Sequence, residues 1–325
     1  MAIRDLLKEA SAEAAAGPDP ARSPLGHLSG KRPAAPAWFE HALAQAPERS
    51  TLVVEGAELE MLAWGRRGDP GLLLLHGFAA HADWWSFIAP FLAEGRRVVA
   101  SSWSGMGGSQ WRHAYSMEQH AREALAVAEA GGLFESDQAP IIIGHSYGSF
   151  IARLVGQTAG ERLGGLVLVD GPLSPERREG LPTRLGHGTH RVYPTLEGAL
   201  ARFRFTPVQT CEHLFIADHI ARGSLKAEAE GEAGWTWRFD GNLTGKSVFV
   251  GAERLIAPTL CPQALVFGDR SKLMTPERLE FLRLNTAADA PWIDIPDAGH
   301  HIMVDQPLAL VAGLRGLLAA WPPKP

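Results

Sequence analysis

The stretch that most limits what this chain can fold into is Pro140 to Phe150, which reads P-I-I-I-G-H-S-Y-G-S-F. Ile141, Ile142 and Ile143 form a short, wholly apolar run ending at Gly144, the pattern of a strand buried on both faces in a parallel sheet. Phe150, Ile151, Leu154 and Val155 then recur at helical spacing, so Ser146 stands at a strand-to-helix turn. Gly144 and Gly148 flank it as G-x-S-x-G. Without their two Cβ atoms the chain can reverse sharply and leave the serine hydroxyl standing above the sheet. The helix that follows aims its first N–H groups at whatever the hydroxyl attacks. A serine in this setting is a candidate nucleophile. The bare motif also arises by chance, so the rest of the chain has to agree with it.

It does so in the order of its elements. Thr51 to Val54, a turn at Glu55-Gly56, and Glu58 to Trp64 read as an antiparallel hairpin. Gly71 to Leu75 is a buried strand ending at His76-Gly77-Phe78, and Trp84 to Leu92 is apolar at helical spacing. Val98 to Ala100 is the next strand, and Met117 to Ala130 a helix. Leu166 to Val169 ends at Asp170-Gly171-Pro172. From Leu173 to about Pro258 the alternation lapses into a helical, aromatic and charged insert. It resumes with Gln263 to Phe267 as strand, Pro276 to Leu284 as helix, Trp292 to Ile295 as strand and Leu308 to Ala320 as the closing helix. Strands alternating with helices at this spacing imply a parallel sheet with right-handed crossovers. The first 50 residues, rich in Ala, Pro and Gly, read as a peripheral arm.

With this element order and the Gly-x-Ser-x-Gly turn, residues 51 to 320 resemble the α/β-hydrolase family. The resemblance implies an α/β fold: a mostly parallel eight-stranded sheet flanked by helices, with a helical cap inserted after strand 6. Its core would be residues 51–172 and 259–325, its cap residues 173–258, with residues 1–50 an N-terminal extension. An insert of this kind is expected to lie on the surface and to be removable without unfolding the sheet.

A serine hydroxyl is a poor nucleophile at neutral pH and needs a base, a carboxylate to orient the base, and donors for an oxyanion. The family carries these in the chain order Ser, acid, His. Pro296-Asp297-Ala298-Gly299-His300-His301 resembles its Gly-His loop and points to His300 as the base, with His301 the alternative. The oxyanion donors implied are the backbone N–H groups of Phe78, after His76-Gly77, and of Tyr147, after the serine. The acid departs from the common pattern. Many relatives carry it three residues beyond the glycine after the seventh strand, where this chain has Ser271. Asp170 and Asp269 are the substitutes. Asp170 is preferred, because in the family's sheet the sixth strand lies directly beside the fifth, which would end it next to Ser146.

The bulk properties exclude other classes. A net charge of −5 and only two cysteines among 325 residues leave no basic footprint for nucleic acid and no disulfide framework. No 18-residue apolar run could span a membrane, and the charged start is unlike a signal peptide, so a cytoplasmic location is expected. His187-x-x-His190 and His213 with His219 lack cysteine or acid companions at ligand spacing, so no metal site is expected. Trp235, Trp237, Tyr193, Phe203 and Phe205 could line an acyl pocket or form the insert's own core. The resemblance implies a serine hydrolase that needs no cofactor and acts on a small ester or similar carbonyl substrate. Carbon–carbon bond hydrolysis, perhydrolysis and ligand binding without turnover remain open on the same residues.

Overall fold

The computed structural model describes residues 23–173, 191–228, 233–322 and 324. Eight strands form one sheet: β1 (Glu48–Val54), β2 (Ala57–Trp64), β3 (Gly71–Leu75), β4 (Arg97–Ser101), β5 (Ile141–His145), β6 (Gly165–Val169), β7 (Gln263–Gly268) and β8 (Trp292–Ile295). Their order across the sheet is β1-β2-β4-β3-β5-β6-β7-β8. The β1–β2 hairpin is antiparallel, β2 joins β4 antiparallel, and every pairing from β4 to β8 is parallel. The hairpin turn uses two residues with positive φ, Glu55 and Gly56, as a tight two-residue connection requires.

The central strands are apolar at every position because both faces are covered. Leu72, Leu74, Ile141, Ile143, Val167 and Val169 point into one core. Their strand neighbours Leu73, Leu75, Ile142, Leu166 and Leu168 point into the other. Helices α2 (Met117–Ala130), α3 (Tyr147–Ala159) and α5 (Pro276–Leu284) contribute to the second core, and α7 (Pro307–Ala320) to the first. Ser116 and Thr275 start α2 and α5 by accepting N–H bonds from Gln119 and Arg278. Residues 84–92 are not one helix. Two short turns, Ala82–Trp84 and Ala89–Leu92, take their place, and Pro90 is one of the residues without an N–H to continue a helix.

The insert packs into both cores. Helix α4 (Leu214–Gly223) buries Ile216, Ala217 and Ile220 in the first core, whereas Leu243 joins the second. Tyr115 Oη donates to Asp240 Oδ2 (2.7 Å), and Arg153 of α3 holds the carbonyls of Leu255 and Ala257 where the insert returns to the sheet. Removing it would uncover apolar area worth about 1.5–3 kcal/mol for each large side chain exposed. Phe203, Phe205, Tyr193, Trp235 and Trp237 pack on one another within the insert, and Phe205 also meets Trp84 and His301 outside it. The described part of the N-terminal region is built in as well. Phe39 of α1 (Ala37–Ala44) is buried edge-on against Phe215 of α4, and Arg222 of α4 donates to the Gly30 carbonyl. Composition could not reveal this, because the partners lie in the insert. Among the described residues no helix is long and apolar enough to cross a membrane.

Candidate active site

The turn after β5 positions the serine. Ser146 has φ 52° and ψ −114°, a conformation that L-residues adopt only under constraint. A Cβ on Gly144 would press into the Gly148 carbonyl, and one on Gly148 into the Leu75 carbonyl, so both positions must be glycine for the turn to close. Ser146 N–H donates to the Val169 carbonyl (2.9 Å) and Ser149 Oγ to the Gly144 carbonyl (2.6 Å), which tie the turn to β6 and to itself. The serine is half-buried.

His300 Nε2 lies 2.9 Å from Ser146 Oγ, and His300 Nδ1 lies 2.6 Å from Asp170 Oδ2. His300 and Asp170 are both buried. A carboxylate on Nδ1 holds the proton there and leaves Nε2 with a lone pair toward the serine. Asp170 is itself held: its Oδ1 accepts from Gly268 N–H (3.2 Å) and its Oδ2 from Ser271 Oγ (2.7 Å). Ser271, at the position where many relatives carry the acid, is thus bonded to the Asp170 carboxylate. Asp269 is exposed, and its Oδ1 accepts from Ala298 N–H (3.3 Å) on the far side of the loop. His301 turns the other way, against Trp84 and Phe205.

Phe78 and Tyr147 meet edge to face with ring centroids 5.4 Å apart, and a Cβ on Gly77 would come within 3.3 Å of His145 Nδ1 and 3.5 Å of Ser146 Cβ. His76 orders this loop. Trp103 N–H donates to His76 Nε2 (3.2 Å), so the imidazole proton sits on Nδ1 and donates to the Gly77 carbonyl (2.7 Å). In a planar trans peptide the Phe78 N–H points opposite to that carbonyl, away from His76. Burial holds His76 neutral, pushing its pKa down to about 3. The same cause acts on His145, next to the serine, and on His120, whose Nδ1 lies 2.7 Å from Tyr147 Oη.

Two features escape sequence reasoning. Phe249 of the insert packs on both Phe78 (5.7 Å) and Tyr147 (6.1 Å), making an aromatic wall beside the serine. The imidazoles of His145, His300 and His301 bring one nitrogen each within 4.8 Å of one another, a spacing a metal ion could use. His300 already spends both nitrogens on Ser146 and Asp170, and His145 Nε2 bonds the His300 carbonyl (2.9 Å). A metal there would compete with that hydrogen-bonded chain. His219 Nε2 bonds Ser86 Oγ (2.8 Å), and His187 and His190 lie outside the described residues.

A model of the alpha/beta hydrolase family matches residues 72–314. The chain is 25% identical over 288 residues to Esterase Rv0045c of Mycobacterium tuberculosis, covering 86% of this chain and 92% of that protein. Among solved structures, a hypothetical protein of Pseudomonas aeruginosa superposes with a TM-score of 0.68 at 26% identity, covering 84% of this chain and 99% of that one. The thioesterase domain of the curacin biosynthetic pathway superposes with a TM-score of 0.69 at 23% identity, over 83% of this chain and 99% of that one.

Proposed function

As this chain belongs to the alpha/beta hydrolase family, we propose that it is a serine hydrolase that cleaves a small ester or similar carbonyl substrate through an acyl-enzyme on Ser146. The observation that carries this reading is the unbroken hydrogen-bonded chain from Ser146 Oγ through His300 to Asp170. An esterase among the relatives agrees with it.

The steps follow from the protonation states. As Ser146 Oγ attacks the carbonyl carbon, His300 Nε2 takes its proton, and Asp170 stabilises the imidazolium that forms. The N–H groups of Phe78 and Tyr147 receive the negative oxygen, each worth about 10²–10³ in rate by analogy with a side-chain donor. The tetrahedral intermediate collapses, the alcohol leaves with the proton from His300, and the acyl group stays on Ser146. Water, deprotonated by His300, then attacks the acyl carbon and releases the acid. Residues 173–258 act as a cap, with Phe249 facing the acyl chain against Phe78 and Tyr147.

A fluorophosphonate probe is expected to label wild-type protein at Ser146, and p-nitrophenyl esters of graded chain length to be hydrolysed. Ser146→Ala should abolish both, with kcat falling on the order of 10⁶. A variant that keeps more than about a tenth of wild-type turnover on every ester would make Ser146 a structural serine.

A further inference from the structure

The loop carrying His300 is held from a direction the steps above do not use. On one side of His300, Gly299 N–H donates to Asp305 Oδ2 (2.7 Å). On the other, His301 N–H donates to Gln209 Oε1 (3.0 Å). The two side chains are joined to each other, because Gln209 Nε2 donates to both Asp305 carboxylate oxygens at 3.0 Å. Asp305 ends helix α6 (Ile302–Asp305), whereas Gln209 belongs to the insert, 92 residues before His301. An amide can accept from an N–H at one end and donate to a carboxylate at the other, so these partners fix its orientation. A Cβ on Gly299 would come within 3.1 Å of Asp305 Oδ2 and 3.2 Å of Gln209 Oε1, so the glycine before His300 leaves room for the clamp to close.

We propose that Gln209 is a positioning residue: together with Asp305 it clamps the peptides on both sides of His300, and through it the insert sets the reach of His300 to Ser146. The proposal rests on the reading of Ser146 and His300 given above. Its leverage is geometric. The 2.9 Å contact between His300 Nε2 and Ser146 Oγ depends on where the 299–301 backbone sits. A displacement of about 1 Å from a remote change can cost on the order of 10²-fold in rate.

The test is a polarity swap in the full chain. Gln209→Glu sets two carboxylates against each other. Asp305→Asn turns one of the two oxygens that accept from Gln209 Nε2 into an NH₂, which sets donor against donor. The double variant Q209E/D305N restores every bond with the charge moved: the new asparagine would accept from Gly299 N–H and donate to the new glutamate, which would accept from His301 N–H. Each single variant is expected to lower kcat on p-nitrophenyl butyrate by about 10- to 100-fold, with KM changed by less than about threefold. The rate of Ser146 phosphonylation by a fluorophosphonate should fall in parallel, well below each variant's melting temperature. The double variant should return to within about fivefold of wild type. Single variants within about twofold of wild-type kcat, or a folded double variant no better than the worse single, would overturn the proposal. If any of these fails to fold, Gln209→Leu removes the bonds without adding charge and is expected to show the same fall in kcat with KM kept; unchanged kcat there overturns the proposal equally. Wild-type protein that neither labels nor turns over would overturn the serine hydrolase reading and this inference with it. An active wild type with a flat cycle overturns this inference alone.

Discussion

Replacing Asp170 by Asn tests the proposed mechanism where the sequence was least decided. Asp170 accepts three bonds: Gly268 N–H on Oδ1, and Ser271 Oγ–H and His300 Nδ1–H on Oδ2. An asparagine has only one oxygen to offer. With that oxygen toward Gly268, its NH₂ donates to His300 Nδ1, the imidazole proton moves to Nε2, and the base faces Ser146 with no lone pair. With the oxygen toward His300 the tautomer is right, but the NH₂ meets the Gly268 N–H donor to donor. A buried donor left unpaired costs about 1–3 kcal/mol, so the productive arrangement is populated roughly once in five to once in a hundred or more. The neutral amide also stabilises the imidazolium less than a carboxylate does. Together these should approach the loss of about 10⁴ in kcat seen for the equivalent change in a serine protease, or about 5.5 kcal/mol. The fold should survive, because Asp170 has φ 45° and asparagine tolerates that region well. The assay is kcat on one p-nitrophenyl ester for Asp170→Asn and Asp269→Asn side by side, with circular dichroism melts on both. Asp269 is exposed and only accepts from Ala298 N–H, a bond the asparagine oxygen can keep, so its variant should stay within about threefold of wild type. A large loss at Asp269 with less than about a tenfold loss at Asp170 would refute the assignment.

Acid should unfold the protein early. Burial pushes His76, His120 and His145 down to about 3, whereas in the unfolded chain they titrate near the ordinary 6.5. The unfolded state therefore binds more protons between those values, and the stability present above pH 6.5 is lost as pH falls, by about 1.4 kcal/mol per pH unit per histidine. The melting temperature should drop steeply from pH 6 to pH 5, and a flat profile there would contradict neutral burial of these rings. Phe249→Ala opens the aromatic wall beside Phe78 and Tyr147. Long-chain p-nitrophenyl esters should gain on the acetate by about tenfold in kcat/KM, and unchanged ratios would take Phe249 off the acyl path.

What this sequence determined by itself is what is written within single elements. Gly71 to Leu75, Ile141 to Ile143 and Leu166 to Val169 announce doubly buried strands, and the structure has them as β3, β5 and β6. Ser146 between Gly144 and Gly148 announces the strained turn, because three neighbouring residues carry its whole steric requirement. Helix α2 was legible to the residue, since its cap at Ser116 and its period lie in one continuous stretch. Tertiary structure decided which side chains meet across the chain. Asp170 and Asp269 were both admissible carboxylates by sequence, and it is Asp170 that lies 2.6 Å from His300 Nδ1. Ser271 read as a missing acid, and its hydroxyl instead donates to the Asp170 carboxylate. Gln209, Phe249 and Phe39 gave no signal, because a lone glutamine or phenylalanine matches no period or motif. The reason is physical: periodicity and turn chemistry report interactions between residues a few places apart. Contacts such as Gln209 with His301 depend on sheet order and on where a long insert returns, which no local stretch encodes.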